Sequence, residues 1–233
     1  MQSLPGNIAI LFIVTIFLTI YLFSQATPSR FKTMVFLLLW TALFAVLGVN
    51  DFFLDVKSMP PRFVFMIGPA LLLIVLFFVT KRGRGFIDRM DLRALTLLHV
   101  VRVPVEIVLF ALAVHKTIPE ILTFEGRNFD IIMGITAFPI AWWVFAKAGS
   151  RKVLLAWNIL GLILLLNVVV HGILSVPFPF QQFGLDQPNI AMLHAPYLLL
   201  PGLIVPVVLF SHLAAIRLIL ANSNKRKGAE TAM

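Results

Sequence analysis

The sequence predicts an all-α integral membrane protein, a single domain built as a bundle of about seven transmembrane helices with its N-terminus outside and its C-terminus in the cytoplasm. Three observations carry this. Of 233 residues, 60% are hydrophobic and 12% charged, where an ordinary soluble domain carries roughly a quarter charged. The apolar residues fall in long runs, such as 35–49, 63–80 and 153–170, without the alternating or amphipathic pattern of a globular core. The charges stand at the ends of those runs. Lipid is the solvent this pattern requires.

A hydrocarbon core about 30 Å thick takes about 20 apolar residues per crossing. On that measure the first span covers 8–24. It ends at Ser24, Gln25 and Ala26, which imitate a signal-peptidase site, but residues 1–7 hold no positive charge and cleavage would send Arg30 and Lys32 across the membrane. The helix is therefore expected to be retained. The second span covers 33–49 and the third 63–80, with Pro69 inside it and Lys81, Arg82 and Arg84 behind it. The fourth, 92–114, is the most polar. The fifth, 130–146, starts at Asp130 and contains Pro139. The sixth, 153–174, carries Asn158, Asn167 and His171, and the seventh, 197–220, carries Pro201, Pro206 and His212. Before the seventh lies SVPFPFQQFGLDQPNIAMLHAP, too rich in Pro and Phe for a simple tether. It is expected to fold at the outer interface, as a re-entrant segment would. No repeat or low-complexity tract interrupts the chain.

Orientation follows from Lys and Arg, which are retained on the cytoplasmic side. Arg30 and Lys32, then Lys81, Arg82, Arg84, Arg89 and Arg93, then Lys147, Arg151 and Lys152, and finally Arg217, Lys225, Arg226 and Lys227 all fall in alternate connections. The opposite connections hold only Lys57, Arg62, Lys116 and Arg127, together with most of the acids. The net charge of +9 thus marks a membrane side and gives no indication of a nucleic acid partner. Cys is absent, which excludes disulfides, thiolate metal sites and thiol nucleophiles. No HExxH, nucleotide-binding glycine loop or GxSxG elbow occurs, and the seventh span lacks the Lys that a retinal Schiff base needs.

Chemistry concentrates in the fourth span, LRALTLLHVVRVPVEIVLFALAV. At 100° per residue His99, Arg102 and Glu106 fall within an arc of about 60°, and Arg102 lies about 15 Å from the inner end. Unpaired ions there cost about 2.5 to 3.5 kcal/mol each, so they should face the bundle and find partners. One reading pairs Arg102 with Glu106 at the i, i+4 spacing as a packing lock. The other makes them a solute, ion or proton site, with Pro104 freeing the carbonyl of Val100 beside them. Asn158, Asn167 and His171 extend the polar set on the sixth span, as interhelical hydrogen-bonding groups or as cavity lining. Glu125, Arg127, Asn128 and Asp130, with Asp186, Gln187, Asn189 and His194 from the later loop, are candidates for an outer mouth.

The stretches LLHVVRVPVEIVLF, FEGRNFDIIMGI and PFQQFGLDQPNIAMLHAPYLLLPGLIVPVVLFSHL resemble an uncharacterised family of bacterial multi-span membrane proteins. That resemblance covers most of the chain from the fourth span onward. It implies a bacterial inner membrane and brings no activity with it.

The leading expectation is a binding or transport protein for a small solute, ion or proton, with His99, Arg102 and Glu106 on a central polar cavity and Asn167 and His171 on its outer part. Arg102 would hold an anionic group or balance Glu106. Three alternatives stay open. One is a lipid-modifying enzyme using His194 or His171 with Asp130 or Asp186. Another is an assembly or sensor subunit, its charges paired with a second membrane protein. The third is a haem b protein, since His99 and His212 match in depth, with His171 and either His115 or His194 as a second pair.

Overall fold

Backbone N–H and C=O groups embedded among apolar side chains must bond one another, and a single segment can do so only as a helix. Each of the seven apolar runs is helical in the computed structural model, which describes residues 5–55, 58 and 61–231, with side chains as far as Ala221. Lys57 lies outside the described residues, as do the side chains of Lys225, Arg226 and Lys227. Among the described residues there is no strand. In chain order the helices are α1 (Gly6–Ala26), α2 (Arg30–Val49), α3 (Val64–Val79), α4 (Lys81–Ile87), α5 (Leu92–Leu98), α6 (Arg102–Val114), α7 (Asp130–Ala146), α8 (Arg151–Leu174) and α9 (Val205–Thr231). By length and composition α1, α2, α8, the stretch Leu92–Val114 and the stretch Leu200–Ala221 are each long and apolar enough to cross a membrane. The pair α3 and α4, bent by 91°, would make a sixth, and α7 is a shorter apolar helix of 17 residues.

The breaks have local causes. At the α3–α4 bend the Thr80 hydroxyl accepts from Gly83 N–H at 3.0 Å. A Cβ on Gly83 would come within 2.5 Å of the Phe77 Cα, so only glycine allows so sharp a bend. The expected unbroken fourth helix tightens to a 3₁₀ turn at His99–Val101, between α5 and α6. Pro104 has no N–H for the Val100 carbonyl, which removes one bond of the regular ladder there. The seventh helix starts as a wide π turn, Leu200–Ile204. Pro206 leaves the Gly202 carbonyl without its helical donor. Trp40 Nε1–H on α2 donates to that carbonyl at 2.9 Å.

Of the five stretches long enough to cross a membrane, Leu200–Ala221 is the most buried and α2 the least. Phe12, Ile16, Ile20 and Phe23 recur on one face of α1 and are buried against α5, α6 and α9. Asp91 N–H donates to Ala26 O, and Arg217 binds Asp88 through two bonds of 2.9 Å. These join the end of α1, the α4–α5 connection and the Arg217 turn of α9 at one end of the bundle. At the other end the connection 175–196 folds back. Asn189 N–H donates to Ser175 O, Ile190 and Ala191 N–H to Thr117 O, and Gln187 Nε2 to Ala113 O at 3.0 Å and to Ile118 O.

The outward faces are apolar. Phe17, Leu39, Leu72, Phe138 and Ile163 are each more than half exposed, whereas Arg102, Glu106 and Asp130 are at most 4% exposed. A water-soluble protein has the opposite distribution.

Candidate functional site

Arg102 begins α6 directly after the 3₁₀ turn, and α7 comes close to it because residue 134 is glycine. A Cβ there would lie 2.9 Å from the Val103 nitrogen and 3.2 Å from the Arg102 Cβ. That approach brings Asp130, at the first turn of α7, to the guanidinium. Arg102 Nη2 is 3.4 Å from Asp130 Oδ2 and 3.4 Å from the Gly161 carbonyl of α8. The reading that pairs Arg102 with Glu106 as a packing lock is thereby corrected. The ion pair runs between helices, because the turn at 99–101 and the nearby α7 offer Arg102 a carboxylate that its own helix does not.

Glu106 is held instead by the loop between α6 and α7. Asn128 Nδ2–H donates to Glu106 Oε1 at 2.6 Å and to Leu122 O at 3.0 Å, while Asn128 Oδ1 accepts from Asp130 N–H at 3.0 Å. Asn128 thus fixes both carboxylate-bearing segments. One guanidinium and two carboxylates share a buried cluster. With all three ionised it carries one uncompensated negative charge.

This cluster borders a cavity of about 90 Å³, partly open, between α3, α6, α8, the turn Ala191–Leu193 and the π turn. Glu106, Asp130 and Asn189 are its polar residues; the remainder, including Phe63, Ile67, Leu109, Val168, Met192 and Leu200, is apolar. Glu106 Oε2, Asp130 Oδ1 and Asn189 Oδ1 are buried without a hydrogen-bond partner among the described residues. All three are acceptors. Arg102 stands behind Asp130 and does not line the cavity, so it is not placed to hold an anionic group there.

His99 and His212, neither of which lines the cavity, stack with ring centroids 3.9 Å apart and planes 22° apart. Trp157 packs edge-on against His99 at 5.3 Å and donates Nε1–H to the Thr136 hydroxyl at 2.9 Å. His212 Nδ1 is 3.0 Å from Asn158 Oδ1, and Asn158 Nδ2 donates to Leu154 O. Depth matching of His99 and His212 therefore holds, and Asn158 joins them. A haem does not fit between them, because rings in van der Waals contact leave no room for an iron to which each presents a nitrogen. Gly161 makes this packing possible, since a Cβ would meet His212 Nε2 at 2.7 Å and Met133 Cε at 2.6 Å.

Other expected site residues lie elsewhere. Asn167 donates to Arg127 O at 2.8 Å, and His171 Nδ1 lies 2.8 Å from its own helix's Asn167 carbonyl with its ring against Phe183. Neither lines the cavity. Glu125, Arg127 and Asp186 are exposed, so of the expected mouth only Asn128 and Asp130 join the cluster. Burial pushes His194 below its ordinary pKa, with Asp51 acting in the opposite sense. Among the described residues no hydrogen bond or ion pair connects His194 or His171 with Asp130 or Asp186. Asn189, another candidate for the mouth, does line the cavity, because the long connection 175–196 folds back and returns it there.

The family described as a domain of unknown function (DUF8737) matches residues 59–220, which include every residue of the cluster and cavity. No curated protein and no solved structure matches the chain.

Proposed function

The chain belongs to that uncharacterised family, and from the site alone we propose that it binds a small amphipathic cation and carries it across a bacterial inner membrane. One observation carries the reading. Glu106, Asp130 and Asn189, each with a buried acceptor oxygen that has no partner among the described residues, line a single cavity whose other walls are apolar. Buried acceptors without donors are costly, and a ligand with N–H donors on a charged head removes that cost. The apolar walls suit an aliphatic body. Charge argues the same way, since one arginine against two carboxylates reaches neutrality when a cation or a proton occupies the site. Cation and proton then compete, and that competition is a route to coupling.

Membrane insertion, seven crossings and a cytoplasmic C-terminus complete the reading. Apolar outward faces, buried charges and the one-sided clustering of Lys and Arg support them. Interrupted helices around a buried site, here the 3₁₀ turn before Arg102 and the π turn at Leu200–Ile204, suit alternating access.

Butylguanidinium is a suitable probe because it has donors, an apolar tail and a charge that stays at any working pH. Proteoliposomes with an acidic interior should accumulate labelled butylguanidinium in exchange for protons, and Glu106→Gln should abolish this. Equal uptake by Glu106→Gln and the parent chain, or none by the parent, would remove the reading.

A further inference from the structure

A second hollow lies on the opposite side of the π turn. Leu200, Pro201 and Val205 line the cluster cavity, whereas Gly202, Leu203, Pro206 and Val207 line a groove of about 400 Å³, partly open, between α2, α3 and α9. Its walls are apolar and strongly aromatic, with Trp40, Phe77 and Phe210 among them. Trp40 is anchored there by its bond to Gly202 O. At the end nearest the α1–α2 connection the lining turns polar with Ser29, Lys32 and Thr33.

Lys32 is exposed, forms no ion pair among the described residues, and no acidic residue lines the groove. Phe86 of α4 also lines it, and the same helix carries Lys81 and Arg82, both exposed. An apolar trough with a cationic end is complementary to a molecule with a long aliphatic tail and an anionic head. We propose that this groove is a binding site for an anionic phospholipid, with one acyl chain along Trp40 and Phe210 and the phosphate at Lys32. The inference rests on the membrane reading above but not on the cation site. Basic residues at the cytoplasmic surface attract such headgroups, and one well-placed lysine corresponds to a preference of about fivefold.

Trp40 supplies the readout. The test uses the full chain with Trp142, Trp143 and Trp157 changed to Phe, so that Trp40 alone fluoresces, reconstituted into phosphatidylcholine vesicles. Vesicles are then doped with brominated phosphatidylglycerol or brominated phosphatidylcholine. The proposal expects phosphatidylglycerol to quench Trp40 at about one-fifth the mole fraction that phosphatidylcholine needs. Lys32→Gln should remove the difference and Lys32→Arg keep it. Equal quenching by both lipids, or a preference that survives in Lys32→Gln, would overturn the site. Failure of the chain to enter vesicles would instead overturn the membrane reading itself, and cation uptake is not involved in either outcome.

Discussion

Arg102 on α6 and Asp130 on α7 form an ion pair of 3.4 Å between groups that are only 3% and 6% exposed, and Glu106, four residues along the same helix, is left to Asn128. Removing one member of a buried pair leaves the other unpaired, at a cost of about 3 to 5 kcal/mol. Arg102→Ala should therefore destabilise the protein by that amount in denaturant titration in micelles. Adding Asp130→Asn should restore part of the loss. A loss under about 1 kcal/mol in the single variant, or no recovery in the double, would show that the pair is not holding α6 to α7.

Glycine packing offers a second test within one helix. Gly161→Ala places a methyl group against His212 and Met133, an overpacking that costs about 1 to 3 kcal/mol. Gly172→Ala meets nothing within 4 Å and should stay within about 0.5 kcal/mol of the parent. Melting of the two variants side by side checks this. Equal effects would mean that the histidine pair does not sit against α8 as described.

The lack of cysteine makes the orientation directly testable. Lys81→Cys and Glu125→Cys are both at exposed positions, one in the cation-rich end and one in the loop before α7. In intact cells an impermeant maleimide should label Glu125→Cys and leave Lys81→Cys until the membrane is opened. The reverse pattern would invert the topology proposed here.

Competition between proton and cation predicts a pH dependence of known sign. Butylguanidinium keeps its charge throughout, so any change reports the protein. Its affinity should fall as pH is lowered, because a proton on the cluster supplies the positive charge the ligand would bring. Affinity constant from pH 5 to 9, or rising toward acid, would separate the carboxylates from binding.

How much of this was legible in the sequence differs from residue to residue. That His99, Arg102 and Glu106 are buried followed from their helical spacing and from the cost of charge among apolar residues, and all three are buried. Their partners were not legible. Asp130 and Asn128 reach Arg102 and Glu106 through the return of a loop, and Asn189 comes from a longer one. Helical periodicity is blind to such contacts. Of the two readings for Asn167, the hydrogen bond outside its helix is formed, to Arg127 O, but neither Asn167 nor His171 lines the cavity; α8 is apolar almost all round, so no face of it could be assigned to the interior. The matched depth of His99 and His212 was visible from the rise per residue, whereas their stacking depends on Gly161 in a third helix.

The central claim is that Glu106 and Asp130 present free acceptors to a cation in an apolar-walled cavity. Calorimetric titration of the purified protein with butylguanidinium, and separately with pentanoate, tests it most directly. The account predicts saturable binding of butylguanidinium, weakened at least about thirtyfold in Glu106→Gln and in Asp130→Asn, and no binding of pentanoate. Pentanoate binding as tightly as butylguanidinium, or butylguanidinium affinity unchanged in both variants, would contradict it.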